Sequence, residues 1–119
     1  MKKFYINELL KLENVFLDYP FPESEWAAIR HCDNKKIFAL IYEYKGKICI
    51  NFKNSPDWAT FWRGTFQSVQ PAYHMNKERW SMVYTDGDAG YEQIIRMITD
   101  SYNLTKKRKK NEQKTEKCN

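Results

Sequence analysis

Apolar residues at Ile6, Leu9, Leu10, Leu12, Phe16 and Leu17 form a broad stripe at helical spacing, which predicts a helix over residues 4–17. Pro20 and Pro22 close that pattern, because proline cannot donate the backbone N–H that a helix interior needs. Beyond them the period changes. "EWAAIRH" (25–31), "KIFALIYE" (36–43) and "ICINF" (48–52) are rich in β-branched and aromatic residues, and the connectors "CDNK" and "YKGK" place Asp33-Asn34 and Lys45-Gly46 at turn positions. A meander of three antiparallel strands is the expectation. The middle run is apolar on both parities, Ile37, Ala39 and Ile41 against Phe38, Leu40 and Tyr42, as in a strand covered on both faces. "ICINFK" alternates Ile48, Ile50 and Phe52 with Cys49, Asn51 and Lys53, as in a strand with one wetter face.

"NSPDWATFWRG" reads as a short helix with Ser55 as N-cap, Pro56 at the first helical position, Asp57 near the positive dipole end and Gly64 at the stop. Trp58, Phe61 and Trp62 make its apolar edge. "WSMVYT" (80–85) predicts another strand and "DGD" a turn, with Asp88 placed to cap a last helix. On that helix Tyr91, Ile94, Ile95, Ile98 and Tyr102 recur on one face. The order helix, three strands, short helix, strand, helix predicts an α+β fold in two layers, an antiparallel sheet with the longer helices on one face. Residues 1–104 are expected to form one domain and residues 105–119 a disordered basic tail.

At 119 residues the chain has room for one core. Its net charge of +5 lies in the tail "TKKRKKNEQKTEKCN", where seven Lys and Arg stand against two Glu, so the body is formally neutral and the usual inference from basic charge to nucleic acid applies first to the tail. No apolar run reaches membrane-spanning length and the N-terminal residues do not read as a signal peptide, so the cytoplasm is the expected location. Cys32, Cys49 and Cys118 suggest neither a disulfide framework nor a zinc knuckle, and Cys49 reads as a small buried hydrophobe rather than a nucleophile.

The densest chemistry sits in "PAYHMNKERW" (71–80). Together with "YPF" (19–21), "FALI" (38–41), the short helix after "NSPD", "DG" (86–87) and "SYNL" (101–104), it resembles the MmcQ/YjbR family of small bacterial proteins. The resemblance implies a CyaY-like fold and binding to DNA through a double-wing arrangement of hairpins. Ala72 stands where the family often has glycine, a change that matters only if that backbone needs a positive φ.

Catalysis, metal binding and nucleic-acid contact compete for these residues. His74 has no partner set for nucleophilic or acid–base chemistry that the sequence can assemble, and no phosphate-binding glycine loop is present. A site built from His31, His74 and Asp33 is conceivable, although a lone turn histidine more often bonds backbone carbonyls. Glu8, Glu13 and Asp18 are spread around the first helix and offset by Lys2, Lys3 and Lys11, which is no oxygen-rich metal ridge. We therefore expect no catalytic residue, no metal and no cofactor.

For DNA, the candidate contacts are His74, Asn76, Lys77 and Arg79 in the signature segment, Lys35, Lys36, Lys45 and Lys47 at the hairpin turns, and Lys106, Lys107, Arg108, Lys109 and Lys110 in the tail. Lys and Arg neutralise phosphates, Asn can pair with an adenine edge, and aromatics stack on exposed bases. Lys53 and Arg63 extend the set. The competing structural reading makes Asn76 a cap and Trp80 and Tyr73 core anchors. A different class of function, a protein-interaction or small-ligand adaptor, would use an apolar groove lined by Trp26, Trp58, Trp62 or Tyr73. A monomer is the favoured state.

Overall fold

The computed structural model describes residues 2–72 and 75–106. The first helix, α1 (Lys2–Leu9), ends well before the sequence pattern does, and the chain turns back as β1 (Val15–Asp18). The reversal passes through Asn14 at φ 59°, a left-handed conformation that asparagine tolerates better than most residues. The long helix expected over residues 4–17 is thus a helix followed by an edge strand. Leu12, Phe16 and Leu17 fit a helical stripe, but Val15 and Leu17 in fact alternate with Phe16 and Asp18 and pack against the core as strand residues do.

The meander follows as β2 (Ala27–His31), β3 (Ile37–Tyr44) and β4 (Lys47–Lys53). Then come α2 (Pro56–Thr65), a three-residue strand β5 (Val69–Pro71), β6 (Trp80–Tyr84) and α3 (Tyr91–Thr105). The six strands form one antiparallel sheet in the order β1-β2-β3-β4-β6-β5. Ser55 caps α2 by accepting from the Trp58 amide at 3.3 Å, and Gly64 lies in the last turn of the helix rather than beyond it.

On one face of the sheet Ile29, Ala39, Ile41, Ile50, Phe52 and Val83 meet Tyr5, Ile6 and Leu9 of α1, Trp62 of α2, and Ile94, Met97, Ile98 and Tyr102 of α3. Burying these side chains is the main force holding the layers together, at about 1.5–3 kcal/mol for each large one. On the other face Leu40, Tyr42, Cys49 and Met82 pack beneath Ala72, with Trp26, Met75 and Trp80 against them. This second covering corrects the expectation of a wet face on β4, since Cys49 and Asn51 are both fully buried. Asn51 is satisfied there: its carbonyl accepts from the Tyr42 hydroxyl at 2.7 Å and its amide reaches the Met75 sulfur at 3.3 Å. Burial pushes the Cys49 thiol up to about 11, so it is protonated at neutral pH and packs as a hydrophobe. No described helix is long and apolar enough to cross a membrane.

Candidate nucleic-acid interface

The two hairpin turns lie at opposite ends of β3. Eight residues separate them, or roughly 25 Å at the rise of an extended strand. Lys35 and Lys36 therefore share no surface with Lys45 and Lys47, and the four turn lysines do not make one patch.

The end that carries Lys35 and Lys36 gathers the other candidates. Lys53 pairs with Trp80 across β4 and β6, and the Asn54 amide donates to the Arg79 carbonyl at 2.7 Å, which brings the 76–80 corner beside the end of β4. The C-terminus of α3 arrives at the same end, where Asn34 donates its side-chain amide to the Thr105 carbonyl at 2.9 Å. Lys35, Lys36, Lys77, Arg79 and Lys106 are exposed and Lys53 half-buried. Against them stand Asp33, Asp57, Glu78 and Asp100. At the far end, Lys45 sits 5.3 Å from the Tyr44 ring centroid and Lys47 is paired with Asp86 at 3.1 Å, with Asp88 lining the same shallow cleft.

The 76–80 corner is held from two sides. Asn76 accepts through its side-chain oxygen from the amides of Glu78 and Arg79, at 2.9 and 3.2 Å, so that oxygen is used in the turn, as a capping residue uses it. From α2, Arg63 donates to the carbonyls of Lys77 and Trp80 at 2.6 and 3.0 Å and to the Ser81 hydroxyl at 3.1 Å. Arg63 is a clamp on the corner. Lys77 and Arg79 are exposed on it, while Trp80 packs on the second face of the sheet. Ala72 is fully buried and is not among the described residues with positive φ, so the methyl in place of hydrogen costs no backbone strain. Tyr73, His74, Lys107, Arg108, Lys109 and Lys110 lie outside the described residues.

His31 is spent inside the fold. It is buried between Phe38 and Tyr102, with both ring centroids 4.9 Å away, and its Nε2 meets the Thr105 hydroxyl at 2.8 Å. Burial lowers its pKa, with nearby Lys106 and Lys36 acting in the same direction and Asp33 against them. Lys35 folds its ammonium onto the Cys32 carbonyl at 2.6 Å, and its backbone sits at φ 63°.

Beside the basic end, α2 and α3 enclose a groove of about 360 Å³ lined by Lys53, Asn54, Trp58, Trp62, Arg96 and Leu104 among others. Trp58 is 43% exposed, Phe61 51% and Leu104 52%. Trp58 stacks on Trp62 with centroids 5.6 Å apart, and the Arg96 guanidinium lies 5.8 Å from the Trp58 ring. Trp26 is elsewhere, stacked on Tyr42 at 4.0 Å on the other face, so the tryptophans expected in one groove are divided. Nothing in the sequence pattern marks Asn54, Arg96 or Leu104 as neighbours of Trp58, because they meet only when α3 lies across the end of β4.

The YjbR family model matches residues 10–104. The chain belongs to the YjbR family. Relatives include Escherichia coli K12 YjbR, 32% identical over 79 residues that cover 66% of this chain and 67% of that one. YbdF from E. coli O157:H7 is 37% identical over 93 residues, covering 74% and 75%. A crystal structure of a Pseudomonas syringae protein superposes with a TM-score of 0.82 at 29% identity, over 89% of this chain and 99% of that one. In this YjbR-family chain much of the signature is structural. Ser101 of "SYNL" donates to the Phe38 carbonyl at 2.7 Å and accepts from the Lys53 amide at 2.9 Å, and Tyr102 donates to the Glu13 carbonyl at 2.8 Å. In "DG", a Cβ on Gly87 would stand 2.3 Å from the Ser68 Cβ. The next residue, Asp88, accepts from the amides of Gln67 and Ser68, both at 2.9 Å. That corrects its expected role as the cap of α3, which belongs to Gly90.

Proposed function

We propose that this YjbR-family chain is a cytoplasmic DNA-binding protein that catalyses no reaction, and that its basic end is the contact surface. The observation that carries the reading is the exposure of Lys77 and Arg79 on a corner fixed by Asn76 and Arg63, at the same end as Lys35, Lys36, Lys53 and Lys106. The corner backbone is preorganised, and the gathering of these cations against Asp33, Asp57, Glu78 and Asp100 leaves that end with a surplus of positive charge. Lys45 and Lys47 fall outside this surface. Asn76, its oxygen used in the turn, serves as a positioning residue rather than a base reader.

The test is a titration of duplex DNA at graded salt, using the full chain and a chain ended after Lys106, which retains Thr105 and its bond to His31. With five or six phosphate contacts the slope of log K against log salt is roughly −4.5 to −5.5. If the shortened chain binds nothing even at low salt, the reading is confined to residues 107–119.

A second reading has its own observation, the exposed Trp58, Phe61 and Leu104 beside a groove, which fits an adaptor that takes a protein segment or small ligand. Failure of the full chain to bind DNA would leave that reading in place.

A further inference from the structure

The groove between α2 and α3 joins three features that one kind of occupant would use together. Trp58 and the nearly buried Trp62 line it, stacked on each other, and the exposed part of the Trp58 ring is an apolar surface on which another ring can stack. Lys53, Arg96 and Asp100 line it as well; the Arg96 side chain is 59% exposed and, among the described residues, meets Asp100 at 3.4 Å and the Trp58 face. Asn54 is 5% exposed and lines the groove; its amide donates to Ser81 at 2.9 Å, while its carbonyl oxygen is buried without a hydrogen-bond partner. An unpaired buried acceptor is costly, and a ligand N–H would remove that cost.

The volume of about 360 Å³ is at the lower end of small-molecule sites, about 300–1,000 Å³. It accommodates a nucleobase with its sugar and excludes a duplex. Lys53 belongs both to the groove and to the basic end, so a strand running along the corner cations passes the groove mouth.

We propose that this groove receives an unpaired nucleobase of a DNA strand, which stacks on Trp58 and donates an N–H to Asn54 while its phosphate lies between Lys53 and Arg96. The inference rests on the DNA reading above and goes beyond it by naming single-stranded or locally opened DNA as the preferred form. The stacking is sequence-tolerant, since every base has a π-face, and every base also has an N–H to offer.

Three labelled probes titrated against the full chain test it: a ten-nucleotide oligothymidylate, a duplex of equal length, and a ten-unit abasic strand. The oligothymidylate should bind about ten-fold more tightly than the abasic strand. Trp58→Ala should remove that advantage and leave duplex affinity in place, and Trp58→Phe should restore most of it, which a general loss of folding would not allow. If Trp58→Ala binds the oligothymidylate as the parent chain does while the duplex still binds, the base site is overturned and the DNA reading stands. If the parent chain binds none of the three probes, both are overturned and the groove passes to the adaptor reading.

Discussion

Lys35 and Lys45 occupy the same kind of position, a hairpin turn in left-handed backbone at φ 63° and 52°, yet the two ends of β3 treat their lysines differently. At the Lys45 end, Asp86 takes up Lys47 and Asp88 lines the same cleft. At the Lys35 end, chain segments far apart in sequence add Lys53, Lys77, Arg79 and Lys106. The difference teaches that a turn lysine acquires meaning from the topology that surrounds it. One end is an ordinary wet edge and at the other the cations outnumber the carboxylates.

The comparison can be broken most severely at Arg63. Arg63→Ala removes three donors from the corner, leaves the Lys77 and Trp80 carbonyls without them, and should cost about 2–3 kcal/mol, read by denaturant unfolding. DNA affinity should fall with it, because Lys77 and Arg79 lose their fixed base. Replacing Lys77 and Arg79 together by Ala should lower duplex affinity by about ten-fold and make the salt slope shallower by roughly two units. Both side chains are exposed, so the unfolding midpoint should not move. An unchanged titration would remove the corner from the contact surface.

A pH series separates the ends by a different property. His31 holds the α3 terminus at the basic end and has a lowered pKa, chiefly through burial. Folding therefore excludes a proton that the unfolded chain binds, and stability should fall as pH drops below the ordinary histidine value near 6.5, with His31→Gln flattening the response. At the other end, the Ser68 side chain and the Ser68 and Gln67 amides hold the Asp88 carboxyl below its usual range. Its contribution is present at neutral pH and is lost only in acid, as pH falls from the ordinary carboxylate range through the lowered value. The smallest effect is expected for Lys45→Ala with Lys47→Ala, which should leave duplex affinity unchanged and shift stability by less than about 0.5 kcal/mol.

The sequence disclosed most where one periodicity stood alone. β3, apolar on both parities, and α2, with Ser55-Pro56-Asp57 at its start, could be read directly. β1 was hidden because Leu12, Phe16 and Leu17 satisfy a helical stripe as well as they satisfy a strand. β5 has three residues and ends in Pro71, too short for any period. Asn51 looked solvent-facing because its two partners, Tyr42 and Met75, come from elsewhere in the chain.

The candidate surface was legible as residue types and not as a place. Lys77 and Arg79 were named, but their adjacency to Lys53 depends on β6 pairing with β4, and that of Lys106 to Lys36 on α3 returning to the β2–β3 turn. Arg63 reads in sequence as one more candidate DNA contact, because nothing local indicates that its guanidinium crosses to the 77–81 backbone.

The close approach at Gly87, where any Cβ would collide with that of Ser68, makes the Asp-Gly pair a condition of joining two connections of the chain. A signature built from such joints sorts proteins by the assembly problem they solve, and two chains sharing it are free to bind different things. Divergence in ligand would then be recorded in the side chains that the joints do not need, here Lys77, Arg79 and Trp58, and comparison of relatives at those positions is the more informative guide to what each one holds.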